Sequence, residues 1–152
     1  MFEFQKHVMA LQLEREAAAR EEAAAIGAEA IISDRGICDG YAYLTDEEYE
    51  AVLEWAGITH EQALARYDAV FHLESTAKSD PAAYTTANNS ARSEDAEEAI
   101  RLNDRIMCGW SQHPERHVIG NYERFDEKAD TLCTAVLRLL DATASKECRN
   151  RS

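Results

Sequence analysis

The sequence predicts an α/β domain in which helices cover a parallel sheet. Three short apolar runs carry the strand signal: AIIS at residues 30–33, AVFHL at 69–73 and HVI at 117–119. Each is too short for a helix and reads as a buried strand. Amphipathic stretches with helix-start signals lie between them. Strands alternating with helices in this way specify a parallel sheet flanked by helices. The length, 152 residues, suits one such domain with a sizeable core.

The elements follow in order. Phe4, Val8, Leu11 and Leu13 open an apolar pattern that runs through an Ala-, Glu- and Arg-rich stretch to Gly27, which predicts a long helix stopped by that glycine. The run at 30–33 follows. Thr45-Asp46-Glu47-Glu48 is a capping box that opens a helix through Val52, Leu53 and Trp55 to Gly57. Thr59-His60-Glu61-Gln62 has the same form and opens a shorter helix with Ala63 and Leu64. After the second strand, residues 75–93 are polar, contain Pro81 and Asn88-Asn89, and read as loop. Ala99, Ile100, Ile106 and Trp110 mark a helix that ends near His113-Pro114. The third strand is followed by an amphipathic helix over 125–140, and residues 141–152 form a polar, frayed tail. One domain over 1–140 plus that tail accounts for the chain.

Charge and cysteine usage narrow the functional classes. Sixteen Lys and Arg against 29 Asp and Glu give a formal charge of −13. Nucleic acid and anionic lipid would both be repelled, so any phosphate site must be local and built from a few placed cations. No apolar run approaches the length of a membrane span, and the acidic N-terminus lacks a signal-peptide core. The four cysteines, Cys38, Cys108, Cys133 and Cys148, form no metal-binding or disulfide spacing, which points to the cytoplasm.

In open parallel sheets, ligands bind beyond the carboxyl ends of the strands. The residues there are Asp34-Arg35-Gly36, Glu74 to Lys78, and Gly120-Asn121. A carboxylate held at a strand end suits an acceptor base or an indirect ligand of Mg²⁺, and Arg35 suits a phosphate or carboxylate clamp. An Asp capping the next turn, with Arg35 paired to it, explains the same string equally well. Arg92, in the loop Asn88-Asn89-Ser90-Ala91-Arg92, would bring charge to a polyphosphate on closing. A solvated loop with Arg92 paired to Glu94 or Asp95 is the plainer reading of those residues taken alone. Lys78 reads as a surface lysine. His113 and His117 cannot share a helical face across Pro114, so they make a poor metal pair.

Five segments in order carry more weight than any one of them: FQKHVMALQLERE, SDRGICDGYAYLTDEEYEAVL, YDAVFHLESTAK, YTTANNSARSEDAEEA and HPERHVIGNYERFDEK. Over about residues 3–140 this succession resembles the AAA-type ATPase domains. Those are similar to the nicotinamide riboside kinase part of NAD regulators and to thymidylate-kinase-like enzymes. The resemblance implies a three-layer P-loop NTPase fold that handles ATP or GTP with Mg²⁺. It implies that Asp34 assists Mg²⁺ through water or assists the acceptor, and that Arg35 holds substrate. It also implies that Arg92, with Arg105, belongs to the lid over the nucleotide phosphates, and that Asn121 borders the base. Gly120 stands where such domains often carry an acidic residue.

The chain departs from that pattern at its front. None of its six glycines is followed by Lys, so the string G-x-x-x-x-G-K-S/T is absent. The amides and lysine of that loop supply most of the phosphate grip. The expectation is therefore an incomplete P-loop fold, truncated before its first strand and phosphate loop, that binds no nucleotide tightly by itself. In the complete arrangement the missing strand lies between those of Ile31-Ile32 and Val70-Phe71. Its loss predicts these two parallel and roughly 9–10 Å apart, two strand spacings, with exposed edges open to self-association. The alternative is a non-catalytic module that binds a partner through those edges.

Overall fold

The computed structural model describes residues 1–80 and 95–150, the last five as backbone only. It is an α/β arrangement: α1 (Phe2–Ile26), a 3-10 turn (Ile37–Tyr43), α2 (Asp46–Ala56), α3 (His60–Leu64), β1 (Val70–Leu73), α4 (Ala96–Gly109), β2 (Arg116–Ile119) and α5 (Phe125–Asn150). A second 3-10 turn, Thr76–Lys78, follows β1 under a Ser75 cap.

The helix signals in the sequence act as written. Gly27 takes φ 67°, ψ 36° and ends α1 in the left-handed conformation that glycine adopts without penalty. Both capping boxes form: Thr45 Oγ1 accepts from Glu48 N while Glu48 accepts from Thr45 N, and Thr59 with Gln62 repeats the pattern. Two bounds differ from expectation. α4 stops at Gly109, short of His113-Pro114, and α5 remains helical through Asn150 where a frayed tail was expected.

β1 and β2 pair in parallel, with Val70 opposite Arg116 and Leu73 opposite Ile119. They are the strands among the described residues. The expectation of a strand at 30–33 fails: this segment is irregular, with Ile31 46% and Ile32 82% exposed. An isolated extended segment has no ladder in which to satisfy its backbone, and β1 offers its partnered edge to β2 alone. The expected pair of strands two spacings apart is thus absent among the described residues.

The core lies in the helical half. Met9, Ile37, Cys38, Leu44, Tyr49, Val52, Leu53 and Trp110 are each at most 6% exposed and pack together. The 3-10 turn is its centre, and it approaches α4 closely. A Cβ on Gly109 would fall 2.5 Å from the Cys38 carbonyl oxygen, and one on Gly36 would fall 2.6 Å from the Trp110 ring. Only glycine lets these backbones meet. α1 turns an unexpected face inward. Gln5, Met9 and Glu16 are buried, while Phe4 is 63% and Leu11 47% exposed. Glu16 is tolerated inside because Arg66 pairs with it at 2.8 Å and the Tyr67 hydroxyl donates to it at 2.5 Å.

Candidate functional site

The Asp34-Arg35-Gly36 string leads into the core rather than out of a strand. Asp34 is exposed and makes no bond among the described residues. Arg35 has φ 81°, a left-handed backbone that costs a non-glycine residue about 1–2 kcal/mol. Its guanidinium is 61% exposed and meets Asp39 at 3.8 Å, a loose pair. Its carbonyl accepts from Gln12 at 3.4 Å. Next to it, Ile37 N donates to the Tyr67 hydroxyl at 2.8 Å, and Trp110 Nε1 donates to Asp39 at 2.6 Å. Burial raises the Asp39 pKa, against the lowering effects of the Trp110 bond and of Arg35.

Arg105 has a framework task. Its Nη2 donates to the carbonyls of Tyr41 at 2.8 Å and Leu44 at 2.7 Å, and its guanidinium lies 4.2 Å from the Tyr41 ring centre. It therefore fastens α4 to the end of the 3-10 turn. Arg92 lies outside the described residues.

Beyond the strands, one hydrogen-bonded network joins β1, β2, α4 and α5. Lys128, in the first turn of α5, is 6% exposed and donates to the Glu74 carbonyl at 2.5 Å and to Asn121 Oδ1 at 2.9 Å. Asn121 Nδ2 then donates to the Ser75 carbonyl at 2.9 Å. From α4, buried Asn103 accepts at Oδ1 from Ser75 N at 2.9 Å, which identifies that atom as the oxygen and makes His72 Nε2 a donor to it at 3.0 Å. Burial lowers the Lys128 pKa, opposed by the charge of Glu74. Lys78, as expected of a surface lysine, pairs with Glu74 at 3.0 Å and Asp104 at 3.2 Å.

This is the place where an open α/β sheet binds ligands, and among the described residues Asn121 is the predicted site residue that stands in it. A family model described as an AAA domain matches residues 1–128. The chain belongs to that family. No curated protein and no solved structure matches it. Membership makes the chain an AAA-type domain of the nucleotide-binding P-loop NTPase class. No helix among the described residues is long and apolar enough to cross a membrane.

Three backbone donors at the end of β1 are engaged within this AAA domain itself. Glu74 N donates to the Ile119 carbonyl, Ser75 N to Asn103, and Ala77 N to Ser75 Oγ. Sequence reasoning missed Lys128 and Asn103. Asn103 left a signal, a polar residue in register with Ala99, Ile106 and Trp110 on the apolar stripe of α4. Lys128 did likewise, standing four residues before Leu132 on α5.

Proposed function

We propose that this chain forms the substrate-side and base-side part of a site that transfers or hydrolyses the γ-phosphate of ATP or GTP with Mg²⁺. The observation that carries this reading is the parallel β1–β2 pair whose carboxyl ends are fixed by Asn103, Asn121 and Lys128, within a chain that matches the AAA family over residues 1–128. Asn121 borders the base, Arg35 faces the substrate, Asp34 assists Mg²⁺ through water or the acceptor, and Arg92 and Arg105 answer the phosphates. Arg105 does so with the edge of its guanidinium left by Nη2. The amides of Glu74, Ser75 and Ala77 at the end of β1 are engaged, so the reading takes its phosphate loop from another segment.

Calorimetry tests it. The chain alone should bind ATP·Mg²⁺ or GTP·Mg²⁺ no better than millimolar, and a strand, G-x-x-x-x-G-K-S/T loop and helix joined ahead of it should bring micromolar affinity. In that longer protein Asp34→Asn and Arg92→Ala should each lower kcat on the order of 10²-fold, as loss of a charge-stabilising group does. Micromolar affinity in the chain alone, or full rates in both variants, would refute the assignment.

A second reading, a non-catalytic module that pairs with a partner, is favoured by the apolar surface of the strand half, where Leu73 is 42% and Val118 45% exposed.

A further inference from the structure

The chain turns at Arg35 with a φ of 81°, a conformation that residues with a side chain rarely adopt. Such strain persists only where the surroundings impose it. Upstream, residues 29–34 are exposed. Downstream, Gly36 packs against the Trp110 ring and Ile37 enters the core. The turn therefore falls on Arg35, and what holds it lies on α1.

Two hydrogen bonds fix the peptide units on either side of Gly36. Gln12 Nε2 donates to the Arg35 carbonyl at 3.4 Å, and Ile37 N donates to the Tyr67 hydroxyl at 2.8 Å. Both partners return to one carboxylate. Gln12 Nε2 also donates to Glu16 Oε1 at 3.1 Å, and the Tyr67 hydroxyl donates to that same oxygen at 2.5 Å. Arg66 takes the other oxygen, Oε2, from Nε at 2.9 Å and from Nη2 at 2.8 Å. Glu16 is buried. A buried ion pair adds little net stability, because desolvation offsets its attraction. Four hydrogen bonds converging on one buried carboxylate do fix geometry, and here that geometry is the path of the chain at Arg35.

We infer that Glu16 is a positioning residue for Arg35: through Gln12 and Tyr67 it holds the Arg35 backbone left-handed and thereby sets the side on which the guanidinium projects. The inference deepens the proposed function and rests on its reading of Arg35 as the group that faces the substrate. A guanidinium on a fixed stem meets a substrate without first being ordered, which is the gain that preorganisation brings.

NMR of the whole chain tests the coupling without any nucleotide. A positive φ brings a residue's own amide and α protons close together, so Arg35 should give a strong cross-peak between them. Tyr67→Phe keeps the ring against Trp110 and removes the hydroxyl alone. It should weaken that cross-peak and speed exchange of the Ile37 amide by about tenfold, the loss of one hydrogen bond. The double variant Glu16→Met, Arg66→Met removes the carboxylate without stranding a charge and should weaken the cross-peak too. Leu53→Ala, a core truncation in α2, should lower the melting temperature and leave the cross-peak unchanged. Arg35→Gly supplies a second readout. In the wild-type background it should raise the melting temperature, because glycine takes a positive φ without penalty. In the Glu16→Met, Arg66→Met background it should lower it, because glycine then only adds freedom to the unfolded chain. An unchanged Arg35 cross-peak in folded Tyr67→Phe, or the same gain from Arg35→Gly in both backgrounds, would overturn the inference. Calorimetry with ATP·Mg²⁺ or GTP·Mg²⁺ reads the phosphate-handling proposal separately, so failure of one is distinguishable from failure of the other.

Discussion

The two halves of the molecule treat their apolar side chains differently. Around the Ile37–Tyr43 turn, residues from α1, α2, α3 and α4 close over one another until Cys38 and Ala63 have no exposed surface and Val52 has 1%. Around the strands, Leu73, Val118, Leu137 and Phe125 stay 42–75% exposed, although α5 is the longest helix of the fold. The helical half is locked by glycine approaches and capping boxes. A parallel sheet depends on lateral neighbours. In the parallel ladder Val70, His72 and Glu74 direct their backbone groups toward β2, which leaves those of Phe71 and Leu73 on the opposite edge. The difference teaches that the residues determine a closed helical core and a two-stranded sheet with one edge open among the described residues.

The largest test of that contrast is Trp110→Ala. Trp110 is 4% exposed, crosses the Tyr67 ring edge-on at 5.0 Å and donates to Asp39. Its truncation should destabilise the fold by about 3–5 kcal/mol, as large-to-small aromatic changes in cores do. Leu137→Ala on α5, by contrast, should stay within about 0.5 kcal/mol as a surface substitution. Urea unfolding of both variants makes the comparison, and equal losses would mean that the strand half is as tightly packed as the helical half.

Lys128→Met comes next, because it probes the one well-bonded part of the strand half. Methionine keeps the length of the side chain but leaves the Glu74 carbonyl and Asn121 Oδ1 without their buried donor. The expected loss is about 1–3 kcal/mol, the cost of stranding a buried polar group. Faster amide exchange should appear at Glu74 and Ser75 and not in α2. A uniform change across the protein would count against a local clamp.

The sequence made the helical half legible and the strand half only in part. Thr45, Gly57, Thr59 and Gly27 act through bonds to residues three or four away, so their meaning is local and survives whatever surrounds them. The strands of Val70 and Val118 were legible because they pair with each other. The run at Ile31-Ile32 has the same composition, but a strand is made by its neighbours and the described residues provide none. The site was less legible still. Arg105, expected at a nucleotide, also ties Tyr41 and Leu44, and contacts 64 and 61 residues apart in sequence leave no mark on local pattern.

A smaller effect, in pH dependence, comes from Asp39. Burial raises its folded pKa above the ordinary value of 3.8, so the folded state holds the proton more firmly than the unfolded state does. Stability from this group is full below pH 3.8 and declines as the pH climbs through the raised value. Asp39→Asn keeps an oxygen for Trp110 and removes the buried charge. Its melting temperature should exceed that of the wild type at neutral pH, and the gap should close in acid. A gap that widens in acid would show that the carboxylate is stabilised inside the fold.

The smallest expected change in stability belongs to Leu73→Lys, and it bears most directly on the open edge. Leu73 is 42% exposed at the end of β1, and its backbone groups point away from β2. An uncovered edge with an apolar side chain is a template for pairing with another copy, and natural proteins guard such edges with lysine. The substitution touches no buried contact, so chemical unfolding should change by no more than about 0.5 kcal/mol. Sedimentation velocity should show wild-type chains associating as concentration rises, while the variant stays monomeric at the same concentrations. The added charge reduces a net charge of −13, so general repulsion between copies weakens and cannot by itself account for the loss of association. Persistence of the same oligomer in Leu73→Lys would place the association elsewhere, on the exposed apolar residues of α1 or α5, and would break the link between the open edge of β1 and association.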